Sequence, residues 1–533
     1  QLDLDACGRL PIMFEGRIKP LDSLARNSLR IISDREVYQD SNRTTQPAIR
    51  WLLDVITDSP DAEKQRVIRI QNLELLDTLK LPRRQGFRYA IEEIAPQWDV
   101  FTQQASQARQ TAPDQRGVYE KKVLELEQRL SHYIMLRESF TPAPLRPENL
   151  REDLAQEANR REQNSRHALP LAVPPKDPKG EWQPYSYAAF DALARSIAAS
   201  QGLQVEDPSP ATLAWSSILS VYGGRASEAT TFNRNVQAYW KLLCDNPPQW
   251  WNPAKTDFEA AFNHAAPFYY AMLLYIGAFL LGCFSWLGWS VPLRRACTWL
   301  TLFTLVVHTL ALVGRIYISG RPPITSLYSS ALFVGWAGVV LALVLEFYSR
   351  IGVANVVGAF LGFATLLISV LMTTTVAPFK GDSFTVLVAV LDTQFWLATH
   401  VTCITAGYSA TLLAGLLGVM YIVRGVLTPS QDKRIAQETS RMVYGTLCFA
   451  IFFSFFGTVL GGLWADDAWG RFWGWDPKEN GALIIVLWIS VVLHAYWGRM
   501  VRERGLSVLA VVGNIVTAWS WFGVNELGVG LHS

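Results

Sequence analysis

Read as a string of apolar and polar positions, the chain changes character once, near Ala265. Beyond that point long apolar runs alternate with short charged loops. The runs at 267–290, 298–318, 327–345, 353–372, 396–423, 443–459, 482–497 and 506–524 reach or approach the roughly 20 residues that a helix needs to cross a bilayer. Residues 1–264 are polar and charge-rich instead. Their opening, GRLPIMFEGRIKPLDSLARNSLRII, predicts a short extended stretch and then a helix, with Asp22 or Ser23 as N-cap and Leu24, Ser28 and Ile31 on one face. Tyr119, Val123, Leu126, Leu130 and Tyr133 recur at spacings of four and three, the seam of a helix packed on a partner helix. Residues 185–199 and 230–243 also read as helices, whereas 141–183, rich in proline and charge, reads as an exposed connector. The expected fold is all-α: a polytopic membrane helix bundle of about eight spans over 265–533, preceded by a mainly helical soluble domain over 1–264.

The loops set the expected orientation. Those after the first, third, fifth and seventh runs hold Arg294, Arg295, Arg350, Arg424, Lys433, Arg434, Arg441, Arg499, Arg502 and Arg504. The opposite short loops hold only Arg321, Lys380, Arg471 and Lys478. By the positive-inside rule the first set faces the cytoplasm. The soluble domain and the C-terminus then face the periplasm or its equivalent, as in a multi-pass protein of the bacterial cytoplasmic (inner) membrane.

Composition changes this picture little. A formal net charge of +2 gives no reason to propose nucleic acid as a partner. The six cysteines form no CxxC pair and no zinc spacing. Cys283, Cys297, Cys403 and Cys448 read as small core residues, while Cys7 and Cys244 would be free to pair if the polar half is exported. The chain carries no CxxCH, so it is not itself a c-type cytochrome. No Walker loop or Ser-His-Asp set is present, and no catalytic residue is assigned. His132 and His167 read as surface histidines and His264 as interfacial.

The unusual chemistry sits in WADDAWGRFWGWDPKE, residues 464–479, on an expected outer loop at 462–481. Trp464, Trp469, Trp473 and Trp475 lie among Asp466, Asp467, Arg471, Asp476, Lys478 and Glu479. A membrane aromatic belt accounts for one or two such rings, not four. Large flat apolar faces with charged handles suit a large planar ligand with an anionic edge. Haem has that shape, with Arg471 and Lys478 placed to meet its propionates.

The run WGRFWGWDPKE resembles the tryptophan-rich WWD signature of the haem-handling family used in cytochrome c assembly, most of all the CcsA (ResC) type of the System II cytochrome c synthase. The likeness spans roughly 267–533, about half the chain. It departs at Gly481, where many relatives are expected to carry a further tryptophan, and at Ser329, where the family often has glutamate. The resemblance implies haem b as bound cofactor and substrate, and apocytochrome c as the protein served. It also implies a CcsB/ResB-type subunit as partner.

The histidines form a second constellation. His400 opens the fifth run and His532 follows the eighth, on the same expected side as the tryptophan stretch. Two imidazoles there would close both faces of a haem, and THVTCITAGYSA and GVNELGVGLHS look like the family's two external-histidine regions. His308 and His494 fall inside apolar runs, where an ionisable side chain is costly and functionally suspect. They sit roughly 15 Å and 8 Å from the cytoplasmic ends of their runs, depths compatible with one shared haem. The resemblance implies the same role for His494. The alternative for both is a hydrogen bond to a neighbouring hydroxyl or carbonyl. Arg315, about two turns from His308, either snorkels or holds a propionate.

These features point to a holocytochrome c synthase, alone or with its partner subunit. Haem b is held in the membrane half, presented outside and joined to the CxxCH of apocytochrome c. A haem transporter or relay that makes no bond shares every residue named. A di-haem respiratory electron-transfer subunit ranks below both, because it has little use for an exposed tryptophan loop.

Overall fold

The computed structural model describes residues 1–533 except 41, 165–167, 178–179, 225–227, 376–382, 385–386, 388, 428–431 and 528–533. The expectations placed on His167, Lys380 and His532 therefore lie outside the described residues. The chain is overwhelmingly helical; strands among the described residues are confined to three two-stranded antiparallel ladders. It forms two compact units that divide between His264 and Ala265.

In the first unit the extended entry is a hairpin, Pro11–Phe14 paired with Arg17–Pro20. The following helix is Leu21–Ser33, so it starts earlier than the polar residues suggested. Pro20, whose ring fixes its φ, is the N-cap residue. Asp22 and Ser23 are first-turn residues with buried side chains, not caps. Arg26 Nε donates to Asp22 at 2.7 Å, and Ser23 Oγ donates to Glu259 at 2.7 Å. The 4-3-4-3 seam forms the helix Val118–Phe140, whose Val123, Leu126, Leu130 and Tyr133 are buried. These residues share one core with Trp51 and Leu52 of Ala48–Ile56. The stretch 141–183 is not an exposed connector. It contains the helix Leu150–Asn164, and Leu171 exchanges backbone hydrogen bonds with Met13 at 2.9 and 2.8 Å. Ala172, fully buried, accepts from Trp215 Nε1. The strand edge supplied partners for a backbone that proline-rich composition made look unpaired.

Two histidines are also more engaged than expected. His264 lies 3.2 Å from the Arg26 guanidinium. The ring of His132 is within 2.9 Å of Ser28 Oγ, and burial, with the Lys19 ammonium nearby, pushes its pKa down to about 4. Cys7 is buried and Cys244 exposed, and both are free thiols.

Among the described residues the second unit holds eight helices long and apolar enough to span a membrane. The first is Pro267–Phe284, the second Ser290–Ser319, the third Leu327–Ser349 and the fourth Val353–Thr375. The fifth runs through a π-helical turn at Leu397–Val401 into Thr402–Leu427. The sixth is Lys433–Trp469 and the seventh Pro477–Trp497. The eighth, Glu503–Ala518, ends in a second π-turn at Trp519–Gly523. The first four pack on one another, the last four likewise, and the third and fourth join the fifth. Small residues allow close crossings: Gly358 faces Ala342, and Gly418 faces the Ser507 carbonyl.

Protonation of His132 generates a pH-dependent stability. Its folded pKa is depressed below the usual 6.5, so its contribution is complete above about pH 6.5 and is lost as pH falls toward about 4. The unfolding temperature of the full chain is expected to fall across that window. The fall should be smaller in His132→Gln; an unchanged profile would remove His132 as its source.

Candidate functional site

The end of the bundle carrying the tryptophans is built on the crossing of the fifth and sixth spans. Gly457 of the sixth lies against the backbone of Ile404, and a Cβ at Gly461 would stand 2.6 Å from His400 Cε1. Neither position has room for a side chain. His400 sits in the π-turn Leu397–Val401, an unusual register often found at functional sites. Its Nδ1 is 2.7 Å from the Gly457 carbonyl oxygen. A carbonyl only accepts, so Nδ1 donates, and when the ring is neutral its lone pair lies on Nε2. The Trp464 ring meets the imidazole edge-on, centroids 5.7 Å apart. Trp464 is 9% exposed, and its indole nitrogen has no hydrogen-bond partner among the described residues.

The expected tryptophan loop is mostly helix. The sixth span is 37 residues long, about 55 Å, so it outruns the roughly 30 Å hydrocarbon core. It carries Trp464 and Trp469 beyond the apolar run 443–459. Gly470, with φ of 67°, ends it, and the seventh span begins at Pro477. Only 470–476 is loop. Trp473 and Trp475 stand there perpendicular, centroids 6.3 Å apart. Trp475 holds a φ of 59° and is 70% exposed.

The loop is shaped by a reciprocal cap. Asp476 is the buried N-cap of the seventh span and accepts from the Lys478 amide. Glu479 reaches back to accept from the amides of Asp476 at 3.1 Å and Gly474 at 2.7 Å. D-P-K-E is thus a capping box, in which Asp476 and Glu479 serve the backbone at the start of the seventh span. Arg471 folds over Gly474, where any Cβ would collide with its guanidinium, and the Phe472 ring lies on Gly462. Lys478 is half-buried in the first turn. Gly481 abuts Ser520, leaving no space for a larger residue.

Polar contacts tie neighbouring segments to this end. Trp396 Nε1 donates to Asp467 at 3.2 Å. Arg321 grips Asp392 through two bonds of 2.9 and 2.6 Å. Arg315 is buried instead of snorkelling. It donates to Ser383 Oγ and O, each at 2.9 Å, with its guanidinium over the Tyr328 and Phe384 rings. Ser329 caps the third span through Ser326.

His308 and His494 are not brought together. His308 is fully buried, its Nδ1 3.4 Å from Tyr275 OH, and its Nε2 makes no hydrogen bond of ordinary geometry among the described residues. His494 faces outward from the bundle, and its Nδ1 donates to the Ser490 carbonyl at 2.8 Å. Their spans pack on different partners. The second span begins at Ser290 and the seventh ends at Trp497. From these helix ends His308 stands about 27 Å deep and His494 about 5 Å. The similar depths expected from the apolar runs came from starting the second span eight residues late.

Sequence reasoning missed Gly457, Gly461, Glu479 and Trp396. The first two carried a signal in their four-residue spacing, the mark of a close helix crossing. Glu479 was legible as the fourth residue of a capping box. Trp396 had no local signal.

Residues 324–532 match the family described as "Cytochrome C assembly protein". His308 and Arg315 lie outside that match. The protein NrfI of Wolinella succinogenes is 32% identical over 51% of this chain, which spans 30% of NrfI. CcsA of Chlamydomonas reinhardtii is 28% identical over 42% of the chain, which spans 64% of that relative. CcsA of Synechococcus sp. (strain CC9902) is 32% identical over 42% of the chain, and there 82% of the relative is covered. With that coverage, and with the tryptophan stretch and His400 inside the matched region, the chain belongs to the CcsA-type family of cytochrome c assembly proteins.

Proposed function

We propose that the membrane unit takes haem b as its substrate, presents it at the tryptophan end on the outer face of a bacterial cytoplasmic membrane, and supports its attachment to the CxxCH of apocytochrome c. The observation that carries this reading is the His400 tautomer. With Nδ1 donating to Gly457, the neutral ring carries its lone pair on Nε2, the atom through which an imidazole would bind iron. His532 is proposed as the second ligand. Trp464, Trp469, Trp473 and Trp475 supply apolar faces, and Arg471 and Lys478 supply cations for the propionates. Arg315, already committed to Ser383, serves by holding that segment in place.

His494 shares the Nδ1-donating geometry, and His308 is buried with an Nε2 that makes no hydrogen bond of ordinary geometry among the described residues. Both are proposed as ligands at separate depths within the membrane. In the attachment step each cysteine thiol adds across one haem vinyl group. Its sulfur bonds to one vinyl carbon and its proton ends on the other, with no leaving group. The nucleophiles belong to the apocytochrome, so the chain contributes position and iron ligation. A CcsB/ResB-type subunit is the proposed partner, and the first unit is proposed to be extracytoplasmic.

The purified protein is expected to carry haem b with a low-spin, bis-histidine spectrum. Co-expression with a CxxCH reporter should leave haem on it that survives denaturation. A loaded protein with an unmodified reporter would make it a relay. A colourless protein from haem-replete cells would overturn the reading.

Replacing His400 and His532 together by alanine should abolish reporter maturation, with partial rescue by imidazole, which can enter a water-exposed site. Gly461→Ala should show a related defect, because its Cβ displaces the His400 ring. Absence of rescue in a folded, inserted protein would make ligation the wrong role.

Trp473→Ala or Trp475→Ala should lower haem per protein while insertion is unchanged, each removing contact worth about 2 kcal/mol. Asp476→Ala should cost about 1 kcal/mol of cap and shift the optical bands more than the occupancy. Full haem with protein lost from the membrane would reduce the rings to an interfacial belt.

A further inference from the structure

The helix Pro253–Ala265 closes the first unit, which ends at His264, and its two faces are inverted for a surface that meets water. Its polar positions turn inward. Thr256, Glu259 and Asn263 recur at spacings of three and four, on one side of the helix. Thr256 is buried, and its Oγ1 accepts from Trp251 Nε1 at 3.0 Å. Glu259, 2% exposed, accepts from both arms of the Arg17 guanidinium at 2.8 and 2.9 Å, and from Ser23 Oγ at 2.7 Å. Asn263 Nδ2 donates to Ser23 Oγ at 2.8 Å. Breaking such a buried pair strands a charge, so these bonds fix the rotation of the helix on the first unit.

The opposite face is apolar and exposed. Ala254, Phe258 and Ala261 follow one another at spacings of four and three, and Phe258 is 40% exposed. Trp250, three residues before the helix, is 84% exposed. A surface that keeps its polar groups inside and shows its rings outside suits an interaction partner, and a lipid interface accepts this pattern.

The covalent chain selects the lipid. Ala265 is joined through Ala266, whose left-handed backbone (φ 39°, ψ 52°) breaks the helix, to the first span, Pro267–Phe284. Eighteen residues make about 27 Å of helix, against a hydrocarbon core of roughly 30 Å. The span has no length to spare, so its first turn falls at the edge of that core. Tyr269 and Tyr270, both exposed, stand in that turn, and tyrosine is a ring type of the interfacial belt. Few residues separate them from the helix Pro253–Ala265.

We propose that the face of Ala254, Phe258 and Ala261, with Trp250, rests on the headgroup and acyl boundary of the leaflet at which the first span begins. A lipid surface is then a partner of the first unit. Glu259 and Asn263 act as positioning residues: they tie the polar face to Arg17 and Ser23 and so turn the apolar face toward lipid. The contact rests on apolar burial and needs no anionic headgroup. It is independent of the haem reading and requires only that the first span cross the bilayer.

The test uses the full chain in phosphatidylcholine nanodiscs. A nitroxide is placed at Ala261→Cys and, for comparison, at Val118→Cys, a highly exposed position on another helix of the first unit, with the exposed Cys244 replaced by serine. Collisional relaxation is read with oxygen, which concentrates in lipid, and with a water-soluble nickel chelate. At Ala261 oxygen accessibility should exceed nickel accessibility several-fold, whereas at Val118 nickel should dominate. Phe258→Glu should shift the Ala261 label toward nickel, with the Val118 label and membrane insertion unchanged. Nickel access at Ala261 equal to that at Val118 would place the face in water. Shielding from both reagents would place a protein against it. Either outcome, or a Phe258→Glu variant whose Ala261 label reads as wild type does, overturns the proposal.

Discussion

The close approach of the fifth and sixth spans is the constraint on which the site depends. Gly407 packs on Ser454, Gly457 on the Ile404 backbone and Gly461 on the His400 ring. Helices in a bilayer gain little from apolar contact alone, so intimate backbone packing and interhelical hydrogen bonds must hold them. Here one contact serves two ends. The bond from His400 to the Gly457 carbonyl satisfies a polar nitrogen at the crossing and also fixes which ring nitrogen keeps its lone pair. The π-turn at Leu397–Val401 lies on the same stretch and sets the rotation at which His400 meets the sixth span.

The tryptophan segment depends on the same rigidity by another route. The sixth span brings Trp464 and Trp469 in on a helix, and the Asp476–Glu479 cap pins the start of the seventh. Seven residues between two fixed helix ends, 470–476, have little freedom to rearrange. Exposed rings on so short a loop present a preorganised face, which lowers the ordering cost of any planar ligand. Arg471 folded on Gly474 holds positive charge at the rim of that face.

The first unit follows a different logic. Its core is an ordinary apolar one built on Trp51, Leu130 and their neighbours, but its helix ends and hairpins are fastened by buried ion pairs. Arg17 meets Glu259 at 2.8 Å, with Glu259 almost wholly buried. Truncating one partner of such a pair strands the other charge in low dielectric, so these contacts specify geometry more than they add stability.

Sequence alone determined the helical class, the eight apolar spans, the seam of Val118–Phe140 and the chemistry of the tryptophan stretch. Each is written in local periodicity or in residue type, which the chain carries wherever it folds. The capping box at Asp476 and the glycine spacing at Gly457 and Gly461 were equally local, though quieter than the charges and rings around them. Tertiary structure decided the rest. Whether Trp464 belongs to a loop or a helix turned on how far the sixth span continues past its apolar run. The partner of His400, the burial of Arg315 and the separation of His308 from His494 all join residues distant in sequence. Such pairings depend on helix length, crossing and depth, and no local pattern encodes them.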